Sequence, residues 1–495
     1  MAISFRTSKQ VNFKMIIAGL MLFTAFVLLV DLYPEKPQIT YTAAVAILMA
    51  FWWITEAIPI GVTSLLPIIL FPLFGVLDGK EVSETYFNYI IFLYIGGFIM
   101  ALAIEKWNLH RRIALKILSI SGASPLRVLF GFMFASAFLS MWMSNTATAM
   151  MMLPMAFSVI SALDEMYAKK QLRKYARGIF LSIAYACSIG GTATLVGTPP
   201  NLSFVRIYEI MFPNGQEITF GNWLVFALPI TLVLFVFTLF YLYFLSRPET
   251  FQALPRSFFK ERYKALGKPS PEERTIFILF LLLIFLWTFR KSIAIGSFEI
   301  PGWSAILHTP DYINDGTIAV FMAFLLFIIP SSKKNRALVN WRITRNIPWH
   351  IVLLFGGGFA LARGFVDSGL SEYTGSLLSD TGDLPMLSTI ALLTGLMSGL
   401  TEFTSNTATT EMLLPIIGGL ATEIKVNPLL LMLPVTLAGS MAFILPVATP
   451  PNAIVYGTGK LTIKQMAVTG FFLNLVAVVV ITLITYFWGS VVFDL

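Results

Sequence analysis

Apolar runs of about 17–25 residues, the length that crosses a hydrocarbon core, recur from Phe13 almost to the end of the chain. No other feature constrains the fold as strongly. In lipid there is no water to pair a free backbone N–H or C=O, so a spanning segment must satisfy all of them internally. Eleven helical spans are predicted near residues 13–31, 39–58, 62–77, 89–110, 178–207, 222–245, 275–292, 312–330, 347–366, 428–457 and 465–490. Two further apolar blocks, 126–163 and 385–423, are too long for one crossing, and a Ser-Asn-Thr run breaks each near its middle. Composition agrees: 57% of residues are hydrophobic and 12% charged, with a mean hydropathy of +0.79, values foreign to a soluble domain. The expected fold class is all-α and polytopic.

Arg6, Lys9 and Lys14 precede the first run as they would in a secretory signal. The segment "VDLYPEKPQ" follows it in place of a small-residue cleavage site, so an uncleaved span is expected. The single cysteine, Cys187, can form no disulfide within the chain. A net charge of +8 could point to nucleic acid, but the basic residues are not gathered into a patch. They sort by loop instead. If the N-terminus is cytoplasmic and each long block returns to the side it left, 27 of the 34 lysines and arginines fall in inside segments. The expectation is a plasma (inner) membrane protein with its N-terminus inside and its C-terminus outside, and no nucleic-acid partner.

Within this frame the chain repeats itself. "MSNTATAMMMLP" begins at Met143 and "TSNTATTEMLLP" at Thr404, a shift of 261. "IGGFIMALA" at Ile95 matches "GGGFALARG" at Gly356, with Gly96 over Gly357, at the same shift. "VGTPPN" (196–201) matches "VATPPN" (447–452) at a shift of 251. Landmarks in order at a nearly constant shift are an internal repeat. The expected organisation is an N-terminus and first span (1–38), repeat 1 (39–245), a linker with an interfacial amphipathic helix (246–274), a connecting span with an outer loop (275–311) and repeat 2 (312–495). Repeat 1 has a re-entrant hairpin at 126–163 and a broken helix at 178–207, and repeat 2 has them at 385–423 and 428–457. The two hairpins enter from opposite sides, so the repeats are inverted, as in many secondary transporters whose substrate binds at broken helices near the midplane.

Ser, Thr and Asn compete for backbone hydrogen bonds and Pro removes a donor, so "SNTAT" and "TPPN" both favour interruption. Interrupted helix at membrane depth is tolerated only inside protein or beside a water-filled cavity. Exposed N–H groups at half-helix N-termini can hold carboxylate oxygens, and carbonyl, hydroxyl and amide oxygens can coordinate a small hard cation such as sodium. A dianion has two ends, which accounts for two copies. The bland alternative is that such runs are packing glue between membrane helices. Glu56, Glu402, Glu411, Arg206 and Arg363 lie near the motifs, and an intramembrane charge is a functional candidate. Glu56 and Glu402 could equally fix helix ends, and both arginines could snorkel from span ends to the interface. His110, His308 and His350 have no ligand spacing.

The phrases "SMWMSNTATAMMMLP", "YACSIGGTATLVGTPPN", "LTEFTSNTATTEMLLP" and "FILPVATPPNAIVYGTGK" resemble the divalent anion/sodium symporters, a family of dicarboxylate and citrate carriers, from about Trp53 to the C-terminus. The resemblance implies a homodimer in which a transport domain holding both hairpins and both broken helices moves as an elevator against a scaffold. It implies one sodium site from Ser140, Ser144, Asn145 and Gly197, and a second from Thr401, Thr404, Asn406 and Ala448, partly through carbonyls. The substrate carboxylates would meet Asn145, Thr146, Thr198, Ser405, Asn406, Thr407, Thr449 and Pro450, and the expected substrates are succinate, malate, fumarate and 2-oxoglutarate.

Two residues depart from the family pattern: Glu411, where a small or apolar residue is usual, and Arg206, where small residues are common. The family also contains sodium-independent exchangers. Carrying a dianion through the hydrocarbon core requires compensating charge, supplied either by bound sodium or by fixed groups such as Arg206 and Arg363. Both modes stay open at this point, with sodium symport the expectation. An enzyme would need a nucleophile with its base, a metal cluster or an acidic pair, and no H-E-x-x-H, D-x-D or G-x-S-x-G is present. A channel filter is also broken backbone lined by carbonyls, but an inverted repeat with buried hairpins suits alternating access.

Overall fold

The computed structural model describes residues 12–493, except 165–168, 249–253, 256, 297, 333–334 and 379–383. Arg6, Lys9, Arg256, Lys333 and Lys334 of the loop-charge argument, and parts of the 1–38 and 246–274 segments, lie outside the described residues.

The chain opens with α1 (Phe13–Leu29) packed on α2 (Pro37–Thr55), which stops at Glu56 in the left-handed region (φ 46°). Next come α3 (Ile60–Thr63), α4 (Leu66–Leu73), α5 (Gly79–Tyr86), α6 (Tyr89–Lys106) and the amphipathic α7 (Leu109–Ser121). The span expected at 62–77 is therefore not one helix. Pro67 has no N–H to continue α3 into a longer helix, so the chain restarts as α4, whose eight residues reach only about 12 Å. The span expected at 89–110 ends at Lys106, and α7 turns away from it through Asn108 at φ 55°.

The chain continues with α8 (Pro125–Ser140), α9 (Asn145–Asp164), α10 (Lys169–Gly191), α11 (Pro199–Met211) and α12 (Phe220–Ser246). The linker holds α13 (Phe258–Lys264), seven residues long and packed on α7, with Phe259 buried against Phe132. After α14 (Pro271–Thr288), a small antiparallel ribbon pairs β1 (Ile293–Ile295) with β2 (Phe298–Ile300), and α15 (Asp315–Ile328) follows. Then come α16 (Trp349–Ser368), α17 (Leu370–Leu377), α18 (Met386–Leu400), α19 (Asn406–Glu423), α20 (Pro428–Ala438), α21 (Pro450–Tyr456) and α22 (Ile463–Phe493). Among the described residues, six helical segments are long and apolar enough to cross a membrane, and several shorter apolar helices accompany them.

The matched glycines do the same job in both halves. A Cβ on Gly96 would run into the backbone of Ala319 on α15, and one on Gly357 would run into the backbone of Ser64. Each lets another segment cross α6 or α16 at backbone distance. The halves also interdigitate, since α11 packs on α19 and α21 packs on α9, so each TPPN helix rests against the SNT helix of the other half. At one end of the bundle a charge cluster ties three elements. The buried Arg290 bonds Asp315 (2.5 Å), the first residue of α15, and Glu217 (2.6 Å), while Lys291 bonds Glu217 (2.6 Å). Burial pushes the Glu217 carboxyl up, but hydrogen bonds from Lys291 and Arg290 outweigh it and hold the group below its ordinary range.

Candidate functional site

Four interruptions meet in the interior: 141–144 between α8 and α9, 192–198 between α10 and α11, 401–405 between α18 and α19, and 439–449 between α20 and α21. In each SNT break the residue that closes the first helix reaches the asparagine that opens the second. Ser140 Oγ donates to Asn145 Oδ1 at 2.5 Å, and Thr401 Oγ1 donates to Asn406 Oδ1 at 2.8 Å, five residues on in both cases. The motif thus gathers a hydroxyl and an amide oxygen at a helix N-terminus, where the dipole and the unpaired N–H groups favour an anion.

In each TPPN break the asparagine laces the open chain shut. Asn201 Nδ2 donates to the carbonyl of Thr194 (2.7 Å) and, longer, to that of Gly191 (3.5 Å), while Asn452 Nδ2 donates to Leu445 (3.1 Å) and Ala442 (3.0 Å). These are the residues seven and ten positions back in both halves. Backbone groups that the break frees are repaired by the motif's own side chain.

Within each half the hairpin tip is bonded to the broken helix. Thr194 Oγ1 donates to the Met141 carbonyl (2.5 Å), and Thr401 Oγ1 also reaches the Gly439 carbonyl (2.8 Å). Between halves, Thr198 Oγ1 lies 3.4 Å from Ser440 Oγ, and Tyr185 donates to the Phe443 carbonyl at 3.1 Å.

Ser140, Asn145 and Gly197 come together. A Cβ at Gly191 would stand 2.8 Å from Asn145 Oδ1 and 3.1 Å from the Gly197 carbonyl, so glycine there leaves room between oxygens that suit a small hard cation. Ser144 instead accepts from the Ala147 N–H (3.2 Å) as a helix cap. Thr401 and Asn406 pair in the second half, and Thr404 donates its hydroxyl to the Leu400 carbonyl and bonds Thr409. Ala448 is buried beside Thr449, whose hydroxyl accepts from the Asn452 N–H (3.4 Å). Thr198 and Thr407 are buried, Thr146 and Ser405 half-buried, and Pro450 exposed. Thr404 and Ser405 line a cleft of about 10 Å³ against Trp53 of α2.

Each arginine is paired with an acid on its own helix. Arg206 Nη1 meets Glu209 (3.2 Å), which also accepts from Tyr89, and Arg363 Nε meets Asp367 (2.8 Å). Glu402 takes the structural role open to it. Its carboxylate accepts the N–H groups of Phe443 (2.7 Å), Ile444 and Leu445 (both 3.0 Å) and Asn474 Nδ2 (2.8 Å), which anchors the second break to α18 and α22. Sequence reasoning missed Ser440, Asn474 and the lacing role of Asn201 and Asn452. A polar residue inside an apolar run was the available signal.

The structure resembles two solved transporters: YdaH of Alcanivorax borkumensis (TM-score 0.53, 13% identity, covering 95% of this chain and 98% of that one) and MtrF of Neisseria gonorrhoeae (TM-score 0.53, 12% identity, covering 83% and 84%). At such identities the likeness is one of fold. In sequence, the chain is 41% identical over 480 residues to a protein of Staphylococcus saprophyticus named sodium-dependent dicarboxylate transporter SdcS, covering 95% of this chain and 90% of the relative. A Staphylococcus aureus protein of the same name is 40% identical over 455 residues, covering 90% and 85%. The family described as sodium:sulfate symporter transmembrane region matches residues 13–495. The paired breaks thus belong to a transporter rather than an enzyme, and the chain is a member of the sodium:sulfate symporter family.

Proposed function

We propose that the protein is a sodium-dependent transporter of C4–C5 dicarboxylates such as succinate, malate, fumarate and 2-oxoglutarate. The observation that carries this reading is the pair of asparagines, Asn145 and Asn406, each opening a helix with its amide oxygen tied to a hydroxyl five residues back. Relatives at 40–41% identity carry the name of such a transporter. Substrate carboxylates bind Asn145, Thr146, Thr198, Ser405, Asn406, Thr407, Thr449 and Pro450. Sodium, when bound, neutralises the dianion, with Ser140, Ser144, Asn145 and Gly197 holding one ion and Thr401, Thr404, Asn406 and Ala448 a second. The ion pairs of Arg206 with Glu209 and of Arg363 with Asp367 favour sodium over fixed arginines as the compensating charge. The inverted repeats move as an elevator within a homodimer in the plasma membrane, N-terminus inside and C-terminus outside.

Uptake of labelled succinate into proteoliposomes tests this. An inward sodium gradient drives uptake into empty vesicles and choline does not. Uptake confined to preloaded vesicles and indifferent to sodium would establish an exchanger instead.

A further inference from the structure

Glu411 sits six residues after Ser405, about one and a half turns into α19, and is fully buried. Its counterpart in repeat 1, at the shift of 261, is Met150, which is 52% exposed, so the acid belongs to this half alone. Oε1 accepts a hydrogen bond from Ser203 of α11 at 2.8 Å, and Oε2 is buried with no hydrogen-bond partner. Oε2 faces α16 where that helix has no side chain: a Cβ on Gly358 would stand 2.5 Å from it. The carboxyl therefore packs directly on the α16 backbone, at a place only glycine leaves open.

Charged groups on the surrounding elements do not neutralise it. On α11, Arg206 is paired with Glu209, and on α16, Arg363 is paired with Asp367 while His350 lies near the helix start. On α17, Glu372 is exposed and Tyr373 half-buried; Tyr41 of α2 packs on Phe74; α20 has no titratable group. Tyr86 of α5 donates its hydroxyl to the Ser64 carbonyl. A carboxylate here would be a fully buried charge with one neutral donor, among the costliest arrangements a protein can hold, whereas a protonated acid carries no such penalty.

We infer that Glu411 is a proton-binding site, seated between the hairpin of repeat 2 and the broken helix of repeat 1, and that the proton is a ligand of this packed conformation. The packed state holds one more proton than any state in which Glu411 meets water, so it loses ground as pH rises. The inference rests on the transport reading for its functional consequence, but not for the presence of the proton.

The test has two arms on the full-length protein in lipid, each read for the native chain, for Glu411→Gln and for Glu411→Met, the last being a neutral variant of similar volume should the amide disturb folding. Infrared difference spectra at neutral pH are expected to contain a protonated-carboxyl band that both variants lack. Sodium-driven succinate uptake, with the same pH on both sides and the substrate fully ionised, is expected to fall severalfold from neutral to alkaline pH in the native chain and to stay level in the variants. No Glu411-dependent acid band, or variants that fall off in parallel with the native chain, would overturn the inference. Absence of sodium-driven uptake in the native chain would instead sink the proposed function, while the infrared arm still decides whether Glu411 holds a proton.

Discussion

Asn145 and Asn406 each place an amide oxygen beside a hydroxyl at the start of a helix. Replacing either with Ala removes that oxygen and the donor group beside it, and succinate uptake is expected to fall to background with the folded protein intact in size-exclusion chromatography. Near-normal uptake by either variant would remove both from the site. Thr198→Val and Thr449→Val are expected to raise the apparent KM about tenfold, the value of a hydrogen bond to a charged group. An unchanged constant in both would mean that those loops do not touch substrate. Thr449 also caps α21, so its variant is expected to lose some stability, and Thr198, which makes no such cap bond, is not. The equivalence of Asn145 and Asn406 was legible in the repeat, whereas the approach of Ser440 to Thr198 across the halves was not, because no motif encodes a contact 242 residues apart.

The breaks are held as elements by side chains that replace lost backbone bonds. Asn201 and Asn452 make equivalent bonds in their two loops, so Asn201→Ala and Asn452→Ala should each destabilise the protein by about 1–3 kcal/mol, the penalty for leaving buried carbonyls unpaired. Thermal unfolding in detergent would register this as parallel falls in Tm, and an unaffected Tm in both would show that water replaces the amides. Glu402→Gln keeps the shape and the bond to Asn474 but weakens acceptance from three consecutive N–H groups, so the second break should loosen more than the first. Hydrogen exchange at 443–445 against 192–198 measures the difference. Span existence was readable because apolar length is a local property. The failure at 62–77 was local too: Pro67 was visible, but hydropathy averaged over a window does not register a missing N–H.

Across the whole molecule, the cluster of Arg290, Asp315, Glu217 and Lys291 joins the end of α14, the start of α15 and the loop before α12. Arg290→Ala would strand the buried Asp315 and should cost about 3–5 kcal/mol, seen as a lowered Tm that a single surface substitution does not produce. Glu217, held below its ordinary range by its cationic partners, contributes stability that is present at neutral pH and lost only as pH falls through that depressed range. Glu217→Gln should therefore remove part of the acid-side loss, and an identical acid profile would assign it to other carboxylates.

Hydropathy and a repeated pair of motifs determined from the sequence that this is a helical membrane protein with two matching pairs of interruptions, because each is written in consecutive residues. Tertiary structure alone decided that each TPPN helix lies on the SNT helix of the opposite half, that both arginines near the motifs are already paired, and that one acid, Glu411, is sealed against a glycine of α16. Those outcomes depend on which distant surfaces meet, and burial and pairing arise only when they do.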